Sequence, residues 1–350
     1  MGTIQEDASR GNHEGLPAAP RRVYTRHAMS ARGDAVPVLL WCNDPGPYRE
    51  AVARAGLGAR VDIHTARVTE EPPATLLPRI EIMLAWRAAP GLLAKMPRLR
   101  WIQSLTAGVE GWLALADLAP GILLTCARGT HRIQMPENIL GALFHLTKPY
   151  AAAAFDQRER RWTRRISETL AAKTLGILGL GAIGQEVARK AAALELTVIG
   201  TKQTPGPVAG VTRVYPPERT DEVLAAADFV LLLLPVTAET RGFMSARRLK
   251  AMKPTAYLLN FGRGELVVDA DLIDAVKSRT IAGAVLDVFT TEPLPAEHPF
   301  WVTEGITVLP HIGGLHPERD HIVAGLFVDN LTRFLENQPL RETVDRTRGY

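Results

Sequence analysis

Thr174 to Gln203, TLGILGLGAIGQEVARKAAALELTVIGTKQ, runs through strand, glycine turn, helix and second strand without a break. Thr174 to Leu178 is a short apolar run, Gly179, Gly181 and Gly184 form G-x-G-x-x-G directly behind it, and helix-forming residues follow at once. In such a turn the first glycine permits the tight bend, the second lets a pyrophosphate approach the backbone, and the third lets helix and strand pack closely. Ala182 and Ile183 then stand at the helix N-terminus, where unpaired NH groups and the helix dipole favour an anion. The glycine pattern alone also marks ordinary turns. The second strand, Leu196 to Gly200, turns it into a βαβ unit that predicts dinucleotide binding.

The residues after that second strand select between cofactors. An NAD site places Asp or Glu about 20 residues on to bind the ribose 2′-hydroxyl, whereas an NADP site puts a cation or hydroxyl there for the 2′-phosphate. Here the strand runs into Thr201 and Lys202, with no carboxylate. Lys202 and Thr201 suit a phosphate by charge and hydrogen bond, so NADP is expected in preference to NAD. A solvated strand-end lysine is the plain alternative.

Length and composition narrow the remaining classes. A chain of 350 residues has room for two domains with cores of their own. Although 46% of residues are hydrophobic, the longest apolar run, around Phe229 to Val236, is far short of a bilayer span. Net charge is only +4, and the basic residues are interleaved with acids, so no nucleic-acid partner is indicated. Cys42 and Cys126 are the only cysteines, too few for a disulfide framework and without metal-ligand spacing; both read as small buried residues in strands, suited to a reducing cytoplasm.

Taken in order, residues 1–34 are rich in Gly, Ala, Pro, Arg and acids without apolar periodicity, and read as a disordered tail. It lacks a signal peptide's apolar centre, its acids count against a transit peptide, and Met29 is a second conceivable start. From Val36 strands and helices alternate: strands at Val36 to Trp41, Arg60 to Thr65, Ile80 to Ala85, Leu99 to Gln103 and Ile122 to Cys126, with helices at Tyr48 to Ala55 and near Leu92. A long helix is predicted from Pro136 to Phe155. Beyond the basic segment Arg158 to Arg165 a second series begins, with strands at Thr174 to Leu178, Leu196 to Gly200, Val211 to Val214, Asp228 to Leu234, Ala256 to Asn260, Ile281 to Asp287 and Ile306 to Val308. Its helices fall after the glycine turn and at Glu218 to Ala226, Ser245 to Met252 and Asp269 to Lys277, and a last helix follows His316. The alternation predicts an α/β protein of two doubly wound parallel-sheet domains, the second (about residues 150–312) inserted into the first, to which the C-terminal helix returns.

Three polar residues stand just beyond strands of the second domain: Arg263 after Asn260, Glu292 after Asp287, and His311 after Val308. Carboxyl ends of strands in a doubly wound sheet face the ligand crevice. Reduction of a 2-oxo acid needs a cation to hold the carboxylate and polarise the ketone, a hydride, and a proton for the new alkoxide. Arg263 offers a bidentate guanidinium. His311 is the natural proton donor, and Glu292 beside it would favour the imidazolium and fix its tautomer. In the first domain, Ser104 to Glu110 is a small-residue loop at a strand's carboxyl end whose backbone NH groups could hold a carboxylate, or which is a plain turn. His298, His316 and His321 are the rival histidines: His298 lies in a proline-rich loop, His321 inside a helix, and only His316 is near enough to touch substrate. Trp301 reads as loop packing or, alternatively, as a border of the substrate pocket.

At these residues the chain resembles the D-isomer-specific 2-hydroxyacid dehydrogenase family, glyoxylate/hydroxypyruvate reductases in particular. The motifs recur in order over residues 36–340: Gly179-Leu-Gly-Ala-Ile-Gly184, Leu234-Pro235 with Glu239-Thr240-Arg241, Asn260-Phe-Gly-Arg263-Gly264, Leu286-Asp287-Val288-Phe289 with Glu292-Pro293, and Pro310-His311-Ile312-Gly313-Gly314. The resemblance implies catalytic Arg263, Glu292 and His311 and no metal. Asp287 would hold the nicotinamide carboxamide, with Leu234, Pro235, Thr240, Phe261, Gly262 and Gly313 also lining the cofactor. Ala107, Gly108 and Val109 would receive the substrate carboxylate together with Arg263 and His311. It further implies a Rossmann domain at 150–312, a flavodoxin-like substrate domain at 35–149 and 313–350, and a homodimer joined through the helix after Pro136. Glu110 stands where many members have Asp, and Thr201-Lys202 where NAD-dependent members have Asp. The activity implied is reduction of glyoxylate, hydroxypyruvate or a short 2-keto acid to the D-2-hydroxy acid. Glu292 disfavours formate dehydrogenases, which resemble a Gln there, and the end at Tyr350 leaves no room for the regulatory domain of glycerate-phosphate dehydrogenases. The alternative within the family is a nucleotide-sensing corepressor, which could keep every one of these residues.

Overall fold

The computed structural model describes residues 35–349, so the predicted tail, with Met29, lies outside the described residues. Five apolar strands, β1 (Val36–Trp41), β2 (Val61–Ala66), β3 (Ile82–Ala85), β4 (Trp101–Ser104) and β5 (Leu123–Thr125), form one sheet in the order β2-β1-β3-β4-β5. Helix α1 (Gly46–Arg54) connects β1 to β2, and the four-residue α2 (Glu110–Leu113) follows β4. Every pairing between these strands is parallel, and β1, β3 and β4 are buried along nearly their whole length, as strands covered on both faces must be.

Two helices, α3 (Gln134–Thr147) and α4 (Tyr150–Arg158), lead to the second sheet. The sequence predicts one helix from Pro136 to Phe155, and the structure corrects this: Pro149 has no NH to donate and drives Lys148 to extended backbone, φ −115° and ψ 137°, which ends α3. The second sheet holds β6 (Thr174–Leu178), β7 (Thr197–Thr201), β8 (Arg213–Tyr215), β9 (Phe229–Leu232), β10 (Tyr257–Asn260), β11 (Gly283–Leu286) and β12 (Ile306–Val308), in the order β12-β11-β10-β9-β6-β7-β8 and again all parallel. Helices α5 (Ala182–Ala193), α6 (Thr220–Ala226), α7 (Ala246–Leu249) and α8 (Asp269–Lys277) are its crossovers. The order reverses at β6, where connections pass from one side to the other, and the glycine turn follows that strand.

Helix α9 (Arg319–Leu335) carries the chain back to the first sheet. Its Val323, Ala324, Phe327, Leu331 and Phe334 share one core with Val38, Leu40 and Trp101. Trp101 is the keystone of this return. It is fully buried, stacks on Phe327 and Phe334 at 5.5 Å each, and donates its indole NH to Thr125 Oγ1 at 2.8 Å. One α/β unit is thus inserted within another. Cys42 and Cys126 are buried and unpaired, each one residue past a strand rather than within it, and burial pushes the Cys42 thiol up to about 12. Among the described residues no helix is long and apolar enough to cross a membrane.

Candidate active site

The glycine turn is built from contacts that only glycine permits. Gly179 has φ +111°, and a Cβ on Gly184 would lie 2.3 Å from Gly179 O, so α5 rises directly against the turn. At Gly181, which is exposed and precedes the first helical residue, a Cβ would meet nothing within 4 Å. The middle glycine therefore faces open space at a helix N-terminus, with Ala182 and Ile183 half-buried behind it, and that is the cradle a pyrophosphate requires. At the end of β7 Thr201 is buried, with 4% of its surface exposed, whereas Lys202 is half-buried and Gln203 and Thr204 are exposed. Of the two residues singled out there, Lys202 is the one open to a ligand. Around the rest of the crevice Phe261 and Gly262 are buried and Leu234 and Pro235 half-buried, while the Thr240 hydroxyl accepts from Thr237 N at 2.7 Å and donates to Pro235 O at 2.7 Å, bracing its own loop.

Asp287, past the end of β11, is 1% exposed. Its carboxylate accepts from Ile312 N at 2.8 Å and from Gly313 N at 2.9 Å and 3.1 Å, which clamps the loop carrying His311. Burial raises its carboxyl above the usual range, opposed by those two NH groups. Asn138 of α3 holds the same loop from the other side, donating to Ile312 O at 3.2 Å and Gly313 O at 3.0 Å. So held, His311 adopts φ +53° and presents Nδ1 to Glu292 Oε2 at 2.6 Å. Glu292 is fixed in turn by Phe289 N, which donates to Oε1 at 2.9 Å. The imidazole remains 53% exposed. Its second nitrogen is therefore available for a proton transfer, with Nδ1 committed to the carboxylate.

Arg263 lies beyond β10 in a loop braced by Asn260, whose amide donates to Arg263 O at 2.8 Å while its Oδ1 accepts from Gly262 N at 3.1 Å. This loop is pressed against the strand end that leads to Glu292: a Cβ on Gly264 would stand 1.9 Å from Phe289 C. The guanidinium crosses to the first sheet, where Nε donates to Glu110 Oε1 at 3.2 Å and Nη2 points at Gly108, 1.7 Å from where a Cβ would be. In that loop Ala107 is exposed and Gly108 half-buried, but the Val109 side chain is buried in the core, which leaves Val109 only its backbone to offer. The loop is stiffened by hydroxyls: Ser104 Oγ lies 2.9 Å from Thr106 Oγ1, which donates to Gly108 O at 2.5 Å.

Of the rival histidines, His298 and His321 fall elsewhere. His298 sits 3.4 Å from Asp269 and accepts from Phe300 N, holding its own turn, and His321 is exposed on α9. His316 lies edge-on to His131 at 6.4 Å, next to the Gly313-Gly314 end of the His311 loop, and burial together with Arg319 and His316 keeps His131 below the ordinary imidazole range. Trp301 donates to Pro295 O at 2.9 Å and packs a loop. Sequence reasoning missed Asn138 and Arg319; the latter, 7% exposed, donates to Leu105 O of the small-residue loop and stacks over Trp86 at 4.1 Å. Neither has a local signal, since each acts on a partner more than a hundred residues away. Among the described residues no group of three or more His, Cys, Asp or Glu is placed to hold a metal ion.

A carboxylate-bound imidazole at the carboxyl edge of a sheet that starts with a glycine turn, opposite a guanidinium reaching a second sheet, serves proton and hydride chemistry on an anion. That is the equipment of a two-domain nucleotide-dependent dehydrogenase. The model of the D-isomer specific 2-hydroxyacid dehydrogenase NAD binding domain matches residues 140–313. Glyoxylate/hydroxypyruvate reductase A of Serratia proteamaculans is 32% identical over 238 residues, 66% of this chain and 76% of that protein. The structure of a D-isomer specific 2-hydroxyacid dehydrogenase from Xanthobacter autotrophicus Py2, in complex with NADPH and MES, superposes with a TM-score of 0.79 at 29% identity, covering 90% of this chain and all of the other. An NADPH-dependent glyoxylate/hydroxypyruvate reductase from Sinorhizobium meliloti, in complex with NADP and sulfate, gives 0.78 at 28% identity, with 90% and 100% covered. The chain belongs to the D-isomer specific 2-hydroxyacid dehydrogenase family and is an oxidoreductase acting on CH-OH groups. The corepressor alternative is not favoured by these relatives, which are named as reductases and dehydrogenases.

Proposed function

We propose that this protein reduces a small 2-oxo acid, such as glyoxylate, hydroxypyruvate or a short 2-keto acid, to the D-2-hydroxy acid, with NADP preferred over NAD. Residues 150–312 form the dinucleotide-binding domain, and 35–149 with 313–350 the substrate domain. The open cradle at Gly181 fits a pyrophosphate, and half-buried Lys202, with no carboxylate beside it at the strand end, fits a 2′-phosphate. The two solved relatives named above were crystallised with NADPH or NADP, which supports the same preference. The bound nicotinamide supplies the hydride.

The chain's own residues do the rest. Arg263 and the backbone of Ala107, Gly108 and Val109 hold the substrate carboxylate and turn the ketone toward the crevice. His311 donates a proton from its free nitrogen to the nascent alkoxide, while Glu292 keeps the ring in one orientation and stabilises its charged form. Asp287 secures the loop that carries His311, and holding the cofactor's carboxamide is the role the family resemblance assigns it. The observation that carries this reading is the 2.6 Å contact between His311 Nδ1 and Glu292 Oε2, beside a guanidinium aimed at Gly108. Arg263→Ala is expected to lose both turnover and substrate binding, and His311→Ala chiefly turnover, by about a hundredfold or more; near-normal kcat in both variants would overturn the assignment.

The same reading makes the protein a cytoplasmic homodimer. Ile133, Phe144, Tyr150, Phe155, Trp162 and Ile166 expose apolar surface along α3, α4 and the segment after them, and a second copy is the natural cover.

A further inference from the structure

Two segments join the sheets, one running from β5 into α3 and one from the His311 loop into α9, and each carries a histidine. His131 on the first and His316 on the second lie edge-on to each other at 6.4 Å. Both are tied to the small-residue loop of the first sheet. Ala127 N, four residues before His131, donates to Thr106 O at 2.9 Å, and Arg319, whose N donates to His316 O at 3.2 Å, reaches back to Leu105 O. His131 also packs on the loop of the proton donor, since a Cβ on Gly314 would stand 3.2 Å from its ring. The pair is therefore strung between the two loops on which the proposed reaction places the substrate's carboxylate and its ketone.

His131 Nδ1 and His316 Nε2 are buried, and neither has a hydrogen-bond partner in the protein. A buried polar atom left in this way costs free energy that a suitably placed ligand atom relieves. Both residues are half-buried, and a half-turn about Cβ–Cγ exchanges nitrogen for carbon along each ring edge. Either ring can thus bring its free nitrogen to its open side without backbone movement. Burial first, then Arg319 and His316, hold His131 below the ordinary imidazole range, so it is neutral near pH 7. A neutral imidazole has one donor and one acceptor. Two of them can satisfy a hydroxyl on both counts, or turn two N–H groups to an anionic oxygen. With the carboxylate on Gly108 and Arg263 and the ketone oxygen at His311, the third bond of the planar C2 carries C3 away from both contacts.

We propose that His131 and His316 are the specificity-determining pair on that third side: they take an oxygen of the substituent borne by C3, either a hydroxyl or an anionic oxygen, and favour such acids over those without one. The inference rests on the 2-oxo acid reductase reading and on Arg263 as carboxylate ligand. A site built to hydrogen-bond a substrate oxygen discriminates against the analogue lacking it, because its own polar atoms are then left unpaired.

The test measures kcat and KM for hydroxypyruvate, pyruvate, oxaloacetate and sulfopyruvate. Hydroxypyruvate and pyruvate differ by the single hydroxyl, and the other two acids carry an anionic group in its place. Wild-type protein is expected to prefer at least one oxygen-bearing acid to pyruvate by about tenfold in kcat/KM. His131→Phe and His316→Phe keep a ring against its neighbours and remove the nitrogens. They are expected to lower kcat/KM for the favoured acids about tenfold, chiefly through KM, while pyruvate moves less than about threefold. His131→Asn and His316→Gln, which keep a polar atom at the places of Nδ1 and Nε2, are expected to recover most of that loss. Loss confined to hydroxypyruvate identifies the ligand as the hydroxyl and loss confined to oxaloacetate and sulfopyruvate as the anionic group, and either supports the pair. No wild-type preference over pyruvate, or an equal loss with all four acids in the variants, would overturn the subsite and leave the reductase reading standing. Wild-type protein idle with all four acids would overturn that reading and the subsite with it.

Discussion

Replacing Glu292 by Gln separates orientation of His311 from its charge. Glu292 accepts on both oxygens, from Phe289 N at 2.9 Å and at His311 Nδ1 at 2.6 Å. A glutamine keeps its single oxygen on Phe289 N, because turning its NH2 toward that donor would leave two donors face to face. Its NH2 then meets Nδ1, which accepts, and the ring is locked as the neutral tautomer in place of the imidazolium. A hydrogen bond to a charged group is worth about 1.5–3 kcal/mol, and with His311 53% and Glu292 34% exposed the screened value is closer to about 1–2 kcal/mol. At about 1.4 kcal/mol per decade the substitution should slow reduction about 5- to 30-fold near neutral pH. Initial rates of cofactor oxidation at saturating substrate measure the loss. An undiminished rate would refute the reasoning.

The glycine turn and the segment after α4 provide separate tests. Gly184→Ala places a methyl 2.3 Å from Gly179 O and should cost about 1–3 kcal/mol of stability, read from denaturant midpoints, whereas Gly181→Ala meets nothing within 4 Å and should melt normally. The same Gly181→Ala methyl intrudes on the phosphate path and should raise KM for the cofactor about tenfold or more; normal cofactor binding in that variant would exclude the turn as the pyrophosphate site. Asp156 is held down to about 2, first by a hydrogen bond from Arg165 and then by Arg161, against the cost of burial. A carboxyl depressed in the folded state stabilises above its unfolded value and loses that contribution as pH falls, so thermal stability should drop from about pH 4 towards pH 2, and Asp156→Asn should lack that part of the drop.

What the sequence makes legible is what is local. The turn after Leu178 follows from three glycines at fixed spacing, and both parallel sheets follow from short apolar runs between helical segments, because each of these features is specified within a few residues. The break at Pro149 was hidden by apolar residues that continue on both sides of it, although a proline with a preceding lysine is itself the signal. Thr201 reads as a strand-end ligand, but the strand runs through it and the sheet is covered on both faces, so its side chain is buried. The meeting of Arg263 with Glu110, the grip of Asn138 on the His311 loop and the anchoring of Leu105 by Arg319 join residues 153, 174 and 214 positions apart. No periodicity or motif within either partner encodes such contacts.

The central claim is tested most directly by following NADPH and NADH consumption separately with glyoxylate, hydroxypyruvate, pyruvate and longer 2-keto acids. The account predicts turnover of the small acids with a lower KM for NADPH than for NADH, and loss of that preference in Lys202→Ala. Equal use of NADH would contradict the role of Lys202, and no turnover with either cofactor would contradict the assignment of this site as a 2-oxo acid reductase.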